Sequence, residues 1–267
     1  MNKKILTAAL FVLLLFSSSA KAESKKDFVQ QVYGSVVLLY GQTESGGMQM
    51  RCTATAYRIV EKDKVKKTRF VSAAHCVSGD SDEEQAQGKY FISLDSEGQK
   101  TFIPAALVRA GDKKKGDDFS IFEVEGDKFP IVPVGDSKAL KVGDEVVDVS
   151  APLGLGKIYF QGYVGNVHLD RPPLDAGEVQ WTNVMIVEIG GGPGSSGSAV
   201  VSVEQKAIVA FVVGSFNGGN LGMIAVPAEK FKAFEAAVDA GTYKKTPKSM
   251  SLESFLGGMF RGMRVHP

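Results

Sequence analysis

Short apolar runs separated by turn residues dominate the chain from about residue 35 onward. They lie at 35–40 (SVVLLY), 53–60 (TATAYRIV), 69–74 (RFVSAA), 90–94 (YFISL), 119–124 (FSIFEV), 145–150 (EVVDVS), 157–164 (KIYFQGYV), 184–189 (VMIVEI), 198–203 (SAVVSV), 207–213 (AIVAFVV) and 223–226 (MIAV). Each is strand-length and rich in β-branched or aromatic residues. They follow one another without intervening helical pattern, which predicts an antiparallel sandwich or barrel rather than βαβ units. Clear helical period occurs over 228–240 (AEKFKAFEAAVDA), where Phe231, Phe234, Ala237 and Val238 share a face and Gly241 supplies a stop. The charged stretch EKDKVKKTR (61–69) sits between two strand-like runs and reads as a solvated hairpin tip. No internal repeat is visible. The expectation is an all-β chain closed by one C-terminal helix.

The first residues follow a different rule. Lys3 and Lys4 precede ILTAALFVLLLF and then SSSAKA, with Ala20 and Ala22 small. That pattern predicts a secretory signal peptide over 1–22, cleaved after Ala22. Its apolar stretch of about 12 residues is short of the roughly 20 that span a bilayer. The mature protein is therefore expected to be secreted or periplasmic, with no stable membrane anchor. Composition is that of an ordinary globular chain, 44% hydrophobic and 23% charged over 267 residues, enough for one large all-β domain or two small ones. The formal net charge of +1 turns mildly acidic once Lys3, Lys4 and Lys21 are removed, which suggests neither nucleic acid nor an anionic membrane as partner. Export also decides how the two cysteines are read: Cys52 and Cys76 are expected to form one disulfide. His75, His168 and His266 show no ligand spacing, so neither metal nor cofactor is expected.

One stretch asks for chemistry. GGGPGSSGS (190–198) packs glycines and serines between two strand-like runs. It lacks the lysine of a phosphate-binding loop, and it fails the G-x-S-x-G pattern because position 198 is serine. What remains is a serine preceded by glycines that free the backbone, so that two N–H groups can converge beside a hydroxyl. Such a serine needs a base and a group to orient it. VSAAHCV supplies His75 and GDDFSIFEV supplies Asp118. Alone, each has an ordinary structural reading; the three together specify nucleophilic catalysis.

At these residues the sequence resembles the chymotrypsin-like serine proteases: SAAHC is similar to T-A-A-H-C, DFSIFEV to the aspartate strand, and GSSGS to G-[DN]-S-G-[GS], in the order His, Asp, Ser. Residues 132–167, with DSKALKVGDEVV and then APLGLGKIYFQGYVGNV, resemble the HtrA (Deg) branch, as do the closing strand and helix. The resemblance implies two six-stranded antiparallel barrels over 23–241, divided near 126–142, followed by a tail at 242–267. It implies Asp118 orienting His75, His75 as general base and acid, and Ser196 as nucleophile. The N–H groups of Gly194 and Ser196 would form the oxyanion hole. Ser195 and Ser198 are alternatives to Ser196, and Asp117 to Asp118. Cys52 and Cys76 match the bridge of the family's histidine loop.

Departures are Ser198 in place of a second glycine, Ala151-Pro152 in place of Asn-Pro, no PDZ domain expected after Gly241, and no Arg-Ile-Val-Gly-Gly activation site. The substrate pocket would be lined by Ile189, Gly190, Gly192, Val213, Gly214 and Ser215. Position 190, six before Ser196, carries no carboxylate, and 210–219 carries no histidine. Peptide or protein substrates with small or medium uncharged P1 residues are therefore expected. Two other readings are a protease-fold peptide-binding module, and a partner-dependent factor docked through Leu252, Phe255, Leu256, Met259 and Phe260 of the tail.

Overall fold

The computed structural model describes residues 24–77, 85, 87–96, 99–112, 116–171, 181–215 and 222–244. The predicted signal peptide lies outside them, as does the predicted tail beyond residue 244. Helix α1 (Lys25–Ser35) opens the described chain. The first six strands are β1 (Val36–Gln42), β2 (Met48–Lys62), β3 (Val65–Ser72), β4 (Tyr90–Ser96), β5 (Gln99–Ala110) and β6 (Ser120–Glu125). They close into an antiparallel barrel in the order β1-β2-β3-β6-β5-β4. The second six are β7 (Glu145–Ser150), β8 (Ile158–Arg171), β9 (Trp181–Glu188), β10 (Ala199–Ser202), β11 (Ala207–Ser215) and β12 (Met223–Pro227). These close in the order β10-β11-β12-β9-β8-β7, and helix α2 (Ala228–Asp239) follows.

The charged stretch 61–69 is the end of β2, a two-residue hairpin turn at Asp63-Lys64, and the start of β3. Asp63 and Lys64 take φ of 53° and 64°, and Lys62 pairs with Val65. Positive φ at both central residues is the geometry that matches strand twist. The strand-like run at 69–74 stops at Ser72, because Ala74–Cys76 form a 3₁₀ turn.

Two elements carry weak signals in the sequence. Strand β5 contains Pro104, which cannot donate to a ladder. It is tolerated because β5 pairs with β4 at that point, Phe91 opposite Pro104, while its pairing to β6 begins only at Ala106. Helix α1 buries little more than Phe28 and Val32, one turn apart, and starts at Ser24, whose hydroxyl accepts from the Asp27 N–H at 3.2 Å.

Each barrel has its own core, and a third core lies between them. Phe28 and Val32 of α1, Phe231 and Phe234 of α2, Tyr57 and Phe119 of the first barrel, and Phe211 of the second share it. Phe231 stacks its edge on Tyr57 at 5.0 Å and lies 4.9 Å from Phe211. Arg69 of β3, braced by Glu123 of β6 at 3.1 Å, fastens α2 to the first barrel through Asp239 at 2.7 Å and Glu235 at 3.3 Å. This central core fixes the seam along which the site lies.

Candidate active site

His75 lies in the 3₁₀ turn after β3, tied to β2 by the Cys52–Cys76 disulfide. Strand β6 runs antiparallel to β3 with Ser72 opposite Ser120, so the residues just beyond each strand end meet. This register delivers Asp118 to His75. The imidazole Nδ1 is 2.7 Å from Asp118 Oδ2, and the His75 N–H donates to Oδ1 at 2.8 Å. Since a carboxylate can only accept, Nδ1 carries the hydrogen, and in the neutral imidazole Nε2 is then an acceptor. Asp118 is 2% exposed, whereas a third of the His75 side chain reaches solvent. The neighbouring Asp117 is engaged elsewhere, its carboxylate accepting from the Tyr243 hydroxyl at 3.1 Å.

The glycine-serine loop between β9 and β10 is folded on itself and against the first barrel. Ser195 N–H donates to Gly192 C=O at 2.9 Å, Ser198 N–H to Ser195 C=O at 3.0 Å, and Gly197 N–H to Val212 C=O at 2.7 Å. Gly194 and Gly197 take φ of +99° and +82°. The three serines part company: Ser195 is buried with its hydroxyl accepting from the Gly192 N–H at 3.2 Å, Ser198 is wholly buried, and Ser196 is half-exposed.

Thr53 of β2 carries the contact across the seam. Its N–H donates to Ser196 C=O at 3.1 Å, and its hydroxyl donates to Gly194 C=O at 2.8 Å while accepting from Ala151 N–H at 3.0 Å. A Cβ on Gly197 would come within 2.6 Å of both Ala73 N and Thr53 O, which places the loop directly against the segment that ends in His75. Thr53 was not singled out from the sequence, because its partners lie about a hundred or more residues away.

Among the described residues, neither the Gly194 nor the Ser196 N–H is given to a protein acceptor. The Pro193 carbonyl accepts from the Leu153 N–H at 2.6 Å, so across that trans peptide the Gly194 N–H points the opposite way. Of the predicted pocket residues, Ile189 and Val213 are buried in the wall, Gly192 and Gly214 are half-buried, and Gly190 and Ser215 are exposed. Phe160 and Met223, also missed in the sequence, fill the space that side chains at Gly190 and Gly191 would need. Asp148 is a further omission: it lies wholly inside the second barrel, and burial pushes its carboxyl up to about 7. Cys52, His75 and Cys76 offer ligand-type atoms within 4.8 Å of one another, but both sulfurs are in the disulfide and Nδ1 faces Asp118, which does not suit a metal.

The two barrels and the loop across their seam define a trypsin-like architecture, and the family model for the trypsin-like peptidase domain matches residues 58–210. The chain belongs to that family, and membership supports serine endopeptidase activity. It is 26% identical over 161 residues to a probable periplasmic serine endoprotease, DegP-like, of Halomonas elongata; the match takes in 60% of this chain and 31% of that protein. The chain thus spans about a third of the length of that relative. Among solved structures it is similar to the HtrA-type protease AlgW with decapeptide, with TM-score 0.63 at 15% identity over 82% of this chain and 68% of the other. It is also similar to Deg5, with TM-score 0.61 at 16% identity over 84% of this chain and 98% of the other.

Proposed function

We propose that the protein is a serine endopeptidase working through Ser196, His75 and Asp118. The observation that carries this reading is the buried carboxylate holding the imidazole at Nδ1, with the Ser196 loop pinned by Thr53 onto the same seam. In this mechanism His75 Nε2 takes the proton of Ser196 Oγ as the oxygen attacks the scissile carbonyl. The tetrahedral oxyanion is held by the N–H groups of Gly194 and Ser196. His75 then passes its proton to the leaving amine, and water repeats the sequence on the acyl-enzyme. Asp118 stabilises the imidazolium without taking the proton, and a donor of the oxyanion type contributes about 3 kcal/mol in comparable sites.

A pocket of Ile189, Gly190, Gly192, Val213, Gly214 and Ser215, backed by Phe160 and Met223, favours small or medium uncharged side chains at P1. The leader pattern and the periplasmic relative support export of the 23–241 domain to the periplasm or beyond. Substitution Ser196→Ala is expected to abolish peptide hydrolysis and labelling by a fluorophosphonate while leaving thermal unfolding unchanged. Labelling that persists in this variant would remove the assignment.

A further inference from the structure

We propose that Asp148 is a positioning residue for the nucleophile loop, acting through Ser198, so that the seating of Ser196 changes when the Asp148 carboxyl gains or loses its proton. This rests on the reading of Ser196 as the nucleophile.

The geometry begins with the alternation of β7. Val146, Asp148 and Ser150 share one face, and Val146 belongs to the interior core of the second barrel. Asp148, Ser150 and Ser198 are all 0% exposed. Both hydroxyls lie beside the carboxyl closely enough to act on it, yet none of the three completes a hydrogen bond of ordinary geometry. An apolar side chain would fill position 148 without the desolvation that a buried carboxyl suffers. The trio therefore needs a role other than packing.

Ser198 gives it a route to the site. Its N–H closes the turn onto Ser195 C=O at 3.0 Å, and its C=O receives the Val212 N–H at 2.9 Å. Ser196 is held between these contacts and Thr53. A protonated Asp148 can donate to one hydroxyl and accept from the other. An ionised Asp148 only accepts and draws both hydroxyls toward itself through charge-assisted bonds. Loss of the proton thus pulls Ser198 toward β7 and tightens the turn that carries Ser196. Burial holds that change near neutrality.

Among the described residues, no charged group competes for the carboxyl. On β7, Glu145 lies on the other face and is bound by Lys25 and Gln161. Tyr159 and Tyr163 of β8 sit opposite Val149 and Glu145, and Glu188 of β9 sits opposite Tyr163, so all three share that other face. His168 and Asp170 pair with each other at the far end of β8. The loop and strands β10, β11 and β12 contain no titratable side chain. Phe160 is the residue opposite Asp148.

The test is the pH dependence of fluorophosphonate acylation between pH 5 and 9 in wild type, Asp148→Asn and Ser198→Ala, alongside the ¹³C carboxyl shift of Asp148. In wild type, the need for an ionised Asp148 is expected to add about 10-fold per pH unit to the fall in rate on the acid side. In both variants that added steepness is expected to be absent and the plateau lower. The Asp148 carboxyl resonance, identified by its loss in Asp148→Asn, is expected to move in the neutral range in wild type and in Ser196→Ala alike. Profiles of identical shape in wild type and both variants, or a carboxyl that titrates below pH 5, would overturn the proposal. Labelling that survives in Ser196→Ala would overturn the catalytic reading and this one with it. Labelling lost there, with the profile unmoved in Asp148→Asn, overturns this one alone.

Discussion

Gly197 combines two demands that only a glycine can meet. Its φ is +82°, and a Cβ there would run into Ala73 N and Thr53 O at 2.6 Å, backbone atoms that cannot step aside cheaply. Gly197→Ala is accordingly expected to lose about 2–4 kcal/mol of stability, measured by urea unfolding, and to lower acylation as the loop is pushed off the seam. A stability loss under half a kcal/mol would mean that the two barrels part easily here. The same position shows what can be read at this scale. Ser196, His75 and Asp118 could be singled out from the sequence because the SAAHC, DFSIFEV and GSSGS stretches follow one another in the order of the family they resemble. Thr53 and Asp148 could not, since one works by hydrogen-bonding distant backbone and the other by being buried where the strand pattern asks for valine. Spacing along the chain contains neither fact.

Helix α2 holds the barrels from outside the site. Phe231 meets Tyr57, Phe119 and Phe211 within 5.4 Å, and the helix is moored by Arg69. Truncation to alanine would remove a fully buried ring shared by both barrels. Phe231→Ala should cost about 3–5 kcal/mol, seen as a lowered urea midpoint. It should also reduce turnover at temperatures where the folded fraction is still complete, because the seam loosens before the barrels unfold; unchanged turnover there would count against the helix as a clamp. The periodicity of this helix made it readable from the sequence. Strand β5 was hidden by Pro104, whose acceptability depends on where β6 begins to pair, and α1 by an apolar face of two main side chains. Both depend on neighbours that a local pattern does not include.

For the molecule as a whole, Asp148 links stability to pH. Its folded value of about 7 lies above the ordinary 3.8, so the native state binds a proton that the unfolded chain releases. That contribution is complete below pH 3.8 and is lost as pH rises through about 7. Urea stability should therefore fall between pH 4 and 7 by more in wild type than in Asp148→Asn, whose amide does not titrate. Parallel curves for the two proteins would show that the carboxyl titrates alike in folded and unfolded chains.

The central core has a further consequence, one of timing. Tyr57, Phe119 and Phe211 emerge early or midway along the chain, whereas Phe231 and Phe234, which cover them, belong to its last described helix. During synthesis the first barrel can close once β6 is available, but its seam face stays uncovered until α2 has been made. A nascent chain thus already carries Ser196, His75 and Asp118 while the central core between the barrels is still incomplete. The order of elements leaves the seam between the barrels uncovered until almost the whole described domain has been made.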